Sequence, residues 1–287
     1  METLYTTVTK EISINKVSDK ITLWFFGDVH RDSSSCDVER WKWFRTRAKS
    51  EIDENTYFIG MGDYHDFASA TEQKALLHGK LHEETKRRFD ESVQQDNRKM
   101  AEEIKFMRGR ILGLIEGNHS WQFADSSTAT EDLATRLDTE CLGWLSHISL
   151  RVFIKSKKFN LCLYIIACHG KAGGKTFGNT INQVGDLKTI FPIADIYCMG
   201  HDHQRTAHPV SILVPYHHKN CEITIKQKRQ FLCRSGSFKK GYQSGASSYE
   251  VGRLYRPSDL GALKMTIGFH QVFNDNHRII TDIEAII

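Results

Sequence analysis

The amino-acid sequence predicts an α/β fold built on a mixed sheet. Over the first two thirds of the chain, short apolar runs alternate with longer amphipathic or charged segments, the rhythm of strands and helices. Further on, apolar runs succeed one another through short polar turns, as hairpins do. In addition, several of these runs stop beside a glycine and an aspartate, asparagine or histidine, which is where chemistry can be placed.

Taken in order, residues 21–26 read as a buried strand ending at Gly27. Residues 37–51 read as a helix, with Asp37 as N-cap and Trp41, Phe44 and Ala48 near helical spacing. Residues 57–61 end a second strand. Residues 71–108 contain no proline and only Gly79, and read as one or two amphipathic helices. Residues 111–115 give a third strand, and Ser126, Ser127 and Thr128 ahead of Glu131 start another helix. Residues 150–154 and 161–167 form a hairpin. Residues 194–199 are a strand followed by β-rich sequence to about Gly236, and the tail from Leu263 adds edge strands. The prolines stand apart at Pro192, Pro209, Pro215 and Pro257, and there is no Ser/Gly linker or repeat. A single domain over 1–287 is therefore expected, its motif-bearing part about 20–205 and its remainder, 206–287, completing sheet and cleft.

Composition excludes several classes. At 287 residues, 40% hydrophobic and 26% charged, the chain has enough apolar sequence for a buried core and is not of disordered composition. No apolar run approaches the ~18 residues of a membrane span. The first residues lack the basic-then-apolar pattern of a secretory signal. The net charge of +4 is too mild to diagnose a nucleic-acid binder. Seven cysteines without a CxxC pair fit a reducing compartment, so a cytoplasmic location is expected. The unusual figure is 14 histidines, and their positions direct the reading.

Five blocks sit at strand ends: Gly27-Asp28-Val29-His30; Gly62-Asp63-Tyr64-His65-Asp66; Gly117-Asn118-His119; Cys168-His169-Gly170; and Gly200-His201-Asp202-His203. Residues i and i+2 of an extended backbone share a face, so each D-x-H or H-x-H pair projects two side chains together. In an α/β sheet the carboxyl ends of the strands share one rim. Carboxylate, imidazole and amide donors without thiolate suit Mn²⁺, Zn²⁺, Fe or Ni²⁺ and argue against a cysteine-rich structural zinc site. Seven donors are too many for one ion that leaves room for substrate. Two ions about 3.5–4 Å apart, sharing a carboxylate, resolve the count and can clamp a phosphoryl group.

In this order the blocks resemble the calcineurin-like metallophosphoesterase family, which includes phosphoprotein phosphatases and the Mre11/SbcD nucleases. The resemblance covers residues 28–203 and implies a four-layer α/β/β/α sandwich of two mixed sheets flanked by helices. It implies that Asp28, His30 and His203 hold one metal, that Asn118, His169 and His201 hold the other, and that Asp63 bridges them. It further implies that His119 donates a proton to the leaving oxygen or stabilises the developing charge, and that Asp66 orients His119. Two departures are informative. Ser120 stands where many members have an acid, which leaves Asp66 as orienting group. Phe67 stands where phosphoprotein phosphatases have arginine, and the loss of that bidentate clamp tilts the expectation from a monoester dianion towards a phosphodiester.

The remaining signals carry less. His65 is expected to point away from the metals, and His208, His217 and His218 to be solvated loop residues. Gly170-Lys171-Ala172-Gly173-Gly174-Lys175-Thr176 is not a nucleotide P-loop, since His169 stands where its first glycine belongs and no clear amphipathic helix follows Thr176. Lys171 or Lys175 could instead reach substrate phosphates. The basic residues of 86–88 and 98–99 lie among acids and read as a solvated helix face. Lys226, Lys228 and Arg229, and Lys239 and Lys240 beside Phe238 and Tyr242, could grip a polynucleotide or serve as solubility charges.

The expectation is thus a manganese-dependent phosphoric ester hydrolase acting on phosphodiester bonds in nucleic acid or nucleotides. The alternatives are a phosphomonoesterase and a non-catalytic, metal-stabilised interaction scaffold. No membrane association is expected, and the oligomeric state is left open, a homodimer included.

Overall fold

The structure, a computed structural model, describes residues 6–67, 73, 74, 76, 82–171, 176–217, 222–242, 249–252, 254, 256–272 and 278–286. Among the described residues, eleven strands form two mixed sheets. The first contains β1 (Thr6–Ile14), β5 (Leu145–Ile154), β6 (Phe159–Cys168), β7 (Ile196–Met199), β8 (Arg205–His217) and β9 (Ile223–Ser235), in spatial order β1-β5-β6-β7-β9-β8. The second contains β2 (Ile21–Phe26), β3 (Thr56–Gly60), β4 (Ile111–Leu114), β10 (Leu263–Val272) and β11 (Arg278–Ile286), in order β11-β10-β2-β3-β4.

Helices cover the outer faces. α1 (Val38–Glu51), α2 (Glu83–Ile104) and α3 (Ala129–Arg136) lie on the second sheet, and α4 (Phe177–Ile190) lies on the first; α5 (Tyr249–Gly252) is a single turn. Alternation along the strands builds three apolar layers. Leu23, Phe25 and Ile59 of one sheet meet Leu150, Leu163, Ile165 and Ile196 of the other in the central core. Trp24, Phe26 and Phe58 turn outward onto Trp41, Phe44, Met100 and Leu133. Ile166, Tyr197 and Leu232 turn outward onto Val184 and Leu187 of α4. The four-layer α/β/β/α sandwich of two mixed sheets is the expected fold class.

Local signals explain the helix starts. The Asp37 carboxylate accepts from Arg40 N at 3.0 Å, and Trp41, Phe44 and Ala48 form the buried face of α1 as their spacing requires. Thr128 and Glu131 close a reciprocal capping box at α3. On α2, Arg87 pairs with Glu84 and Glu91, Lys99 with Asp96, and Lys105 just beyond the helix with Glu102, so the charged surface is the solvated face expected. Gly79 and its neighbours, with Lys175, His218 and Cys221, lie outside the described residues.

Three expectations need correction. A 14-residue helix, α4, does follow Thr176. Gly178 and Gly185 weaken its sequence signal, and packing of Val184 and Leu187 against the sheet overrides that weakness. β10 is not an edge strand but lies between β11 and β2. His208 and His217 are not loop residues but lie within β8, and the alternation of Val8, Ile12 and Ile14 is the buried face of β1, paired in parallel with β5.

Candidate metal centre

β2, β3 and β4 run parallel in one sheet, β6 and β7 in the other, and the loops leaving their carboxyl ends meet. Backbone bonds stitch the loops together before any side chain acts. Asp28 N donates to Gly62 O at 2.9 Å, and the N–H groups of Val29 and His30 both donate to Asp63 O, at 2.8 and 3.1 Å. Carboxylates then fix neighbouring loops: Asp63 Oδ1 accepts His119 N and Asp28 Oδ2 accepts His201 N, both at 3.0 Å. Gly117 is required for this approach, since a Cβ there would overlap the backbone and carboxylate of Asp63.

All seven candidate ligands converge. Asp28, His30 and His203 form one group and Asp63, His169 and His201 another, the ligand atoms of each lying within 4.8 Å of one another. Asn118 joins the second group, its Oδ1 2.9 Å from His169 Nε2. Asp63 stands between the groups, Oδ2 being 3.2 Å from His169 Nε2 and 3.7 Å from His30 Nε2. Each group could hold a metal ion.

Five of these seven residues occupy the left-handed backbone region: Asp28, His30, Asp63, His201 and His203, with φ of 48°, 46°, 48°, 67° and 54°. Such a conformation costs a non-glycine residue about 1–3 kcal/mol and persists only where the surroundings over-determine it. Here the carboxy-terminal part of the chain does so. Phe238 N and Ser237 Oγ both donate to Asp28 O, at 2.9 and 3.0 Å, and Asp259 N donates to His203 O at 2.8 Å.

The donor set fits divalent cations. His30 Nδ1 lies 2.8 Å from Asp66 Oδ1 and His169 Nδ1 lies 2.8 Å from Met61 O, an arrangement that commits each Nδ1–H and leaves the Nε2 lone pair for a ligand. Buried Asp28 Oδ1 and His30 Nε2 have no hydrogen-bond partner among the described residues. Two orphaned acceptors in one interior cluster are what a cation satisfies.

The charges are tightly interlocked. Burial pushes the Asp63 carboxyl up, but His169, His30 and His119 together hold it well below the usual range. Burial likewise opposes protonation of His169, yet Asp63, Asp28 and the Met61 carbonyl bring its pKa up to about 9. Burial, joined by the charge of His169, drives His201 down to about 4.

His119 lies outside both groups. Its Nδ1 is 3.2 Å from Asp66 Oδ1 and 3.1 Å from Phe67 O. Asp66 touches His119 but lies closer to His30, and His30, Asp66 and His119 form a third group with metal-binding spacing. Buried His65 takes no part in either ligand group, and its ring stacks on Phe67 at 4.6 Å.

Several contributors escaped the sequence reading. Buried Arg234 donates to Gly200 O at 2.8 Å, Thr180 O at 3.1 Å and Lys171 O at 3.4 Å, bracing the segments next to His201 and His169. Trp144 O accepts His169 N at 3.3 Å, one step past the β5–β6 ladder, and the Trp144 residue is 55% exposed. Trp144 therefore continues the ladder register opposite His169, a candidate ligand, at the end of the pair. Of the two late basic clusters, only the second reaches the centre. Lys239 Nζ is 3.8 Å from Asp66, whereas residues 226–229 lie six to nine residues before the site end of β9, about 20–30 Å away.

No protein-family model matches the sequence, and no curated protein does. Among solved structures, the chain is similar to Vps29 of Chaetomium thermophilum (7% identity, TM-score 0.37, covering 93% of this chain and 97% of that one). It is also similar to GAP50, the anchor in the inner membrane complex of Plasmodium (13% identity, TM-score 0.40, covering 92% and 88%). No helix among the described residues is long and apolar enough to cross a membrane.

Proposed function

We propose that this chain is a calcineurin-like metallophosphoesterase that hydrolyses phosphodiester bonds in nucleic acid or nucleotides with two divalent ions. The observation that carries the reading is the division of the ligands into two groups with Asp63 between them and His119 alongside. Asp28, His30 and His203 would hold one ion, Asn118, His169 and His201 the other, and Asp63 both. Mn²⁺ suits the mixed carboxylate, imidazole and amide set, which Zn²⁺, Fe and Ni²⁺ also accept. When bound, such a pair polarises the phosphoryl oxygens and activates the attacking water.

The chain's own residues supply the rest. His119, partly exposed and outside both ligand groups, donates a proton to the departing oxygen. Its Nδ1 faces Asp66 and the Phe67 carbonyl, which leaves the other ring nitrogen for the departing oxygen. The phosphodiester preference is supported by Phe67, which leaves no arginine clamp at that position. The nucleic-acid or nucleotide preference is supported by Trp144, whose exposed indole offers a base a stacking face.

The test is turnover of bis(p-nitrophenyl) phosphate and p-nitrophenyl phosphate with Mn²⁺, for the wild type and His119→Ala. A faster diester and a loss of about 10²-fold or more in the variant support the reading. A faster monoester favours a phosphomonoesterase, and no turnover with any divalent ion favours an interaction scaffold.

A further inference from the structure

Lys239 and Lys240 are adjacent in sequence but are put to different uses. Lys240 Nζ turns away to Asp37, 3.2 Å from its carboxylate. Lys239 Nζ turns into the candidate centre and lies 3.8 Å from Asp66 Oδ1, the oxygen that also faces His30 at 2.8 Å and His119 at 3.2 Å. Its side chain is 18% exposed, so it is neither free in solvent nor sealed off. At 3.8 Å the ammonium is ion-paired without being hydrogen-bonded. Among the described residues its ammonium has this ion pair and makes no side-chain hydrogen bond.

The backbone presents this side chain firmly. Lys239 N donates to Ser237 Oγ at 3.0 Å, Ser237 Oγ in turn donates to Asp28 O at 3.0 Å, and residue 239 makes a β-bridge with Cys36. The segment that fixes a candidate ligand therefore also fixes the lysine.

Resting on the function proposed above, we propose that Lys239 receives a non-bridging phosphoryl oxygen of the substrate on the His119 side of the centre. Phe67 leaves that flank without the bidentate cation that suits a dianion. Lys239 supplies a single point charge there, already partly balanced by Asp66.

The experiment compares Lys239→Met, Lys239→Arg and Lys240→Met with the wild type. It reads bound Mn²⁺, the affinity of the Mn²⁺-loaded protein for inorganic phosphate by calorimetry, and kcat and KM for both nitrophenyl esters. Expected for Lys239→Met are full metal content, phosphate affinity and diester kcat/KM each lower by about tenfold or more, and partial rescue by arginine. Lys240→Met should match the wild type. A lysine that merely props Asp66 would lower metal content or kcat in Lys239→Met and leave phosphate affinity unchanged, which overturns the proposal. Wild-type turnover with an unaltered Lys239→Met overturns it alone, whereas a wild type that hydrolyses neither ester overturns the underlying function as well.

Discussion

Asp66 holds His30 more closely than it holds His119: its Oδ1 is 2.8 Å from His30 Nδ1 and 3.2 Å from His119 Nδ1. One carboxylate thus orients a candidate metal ligand and the candidate proton donor together. Burial pushes Asp66 up, but His30 and Lys239 keep it ionised well below the usual range. Asp66→Asn should therefore weaken Mn²⁺ binding by about 10–100-fold as well as slow turnover. Calorimetric Mn²⁺ titration of the two proteins checks this. Unchanged affinity with lost turnover would confine Asp66 to His119.

Arg234 is wholly buried and uses its fork to join three stretches of chain, at Gly200, Thr180 and Lys171, with Gln183 Oε1 taking a further bond at 3.1 Å. A lysine keeps the charge but cannot span these carbonyls. Arg234→Lys should cost about 2 kcal/mol in urea unfolding, since buried carbonyls lose their donors. Mn²⁺ affinity should fall with it, because the braced segments carry His169 and His201. Unfolding that matches the wild type would show that the carbonyls find other partners.

Trp144 faces His169 across the end of the β5–β6 pair and remains largely exposed. Stacking of one base on an aromatic ring is worth about 1–3 kcal/mol. Trp144→Ala should then raise KM for a dinucleotide about tenfold and leave inhibition by inorganic phosphate unchanged, with Trp144→Phe between the two. Equal KM values for all three proteins would remove the stacking role.

How far the sequence reaches depends on how local each signal is. Asp28 and His30, or His201 and His203, are legible because two candidate ligands and a glycine sit within one short block at the end of an apolar run. The caps at Asp37 and Thr128 are equally local. Arg234, Ser237 and Asp259 are not legible. Their donors act on Gly200, Asp28 and His203 only after the carboxy-terminal third folds back over the rim. The left-handed backbone at five candidate ligands is hidden for the same reason: aspartate and histidine tolerate that region, but nothing short of the assembled loops enforces it. α4 was obscured by Gly178 and Gly185, whose cost is met by contacts between distant segments.

A last prediction concerns stability away from the centre. Glu103 on α2 accepts from Arg31 Nη2 at 2.8 Å and from Trp41 Nε1 at 2.6 Å, and Arg45 Nη1 lies 3.4 Å away. Burial pushes this carboxyl up, but these partners outweigh it and hold its pKa below the ordinary 4.5. A carboxyl whose pKa is lower folded than unfolded stabilises the protein above the unfolded value, and that contribution is lost as pH falls through the folded one. Glu103→Gln should accordingly cost about 2 kcal/mol at pH 7, since two arginines and an indole lose a charged acceptor. The gap between the proteins should narrow steadily as the pH is lowered below about 4.5, as the wild-type carboxyl takes up its proton. Urea unfolding at intervals from pH 7 to pH 3 measures it. A gap that stays constant across that range would mean that Glu103 acts through neutral packing rather than through its charge.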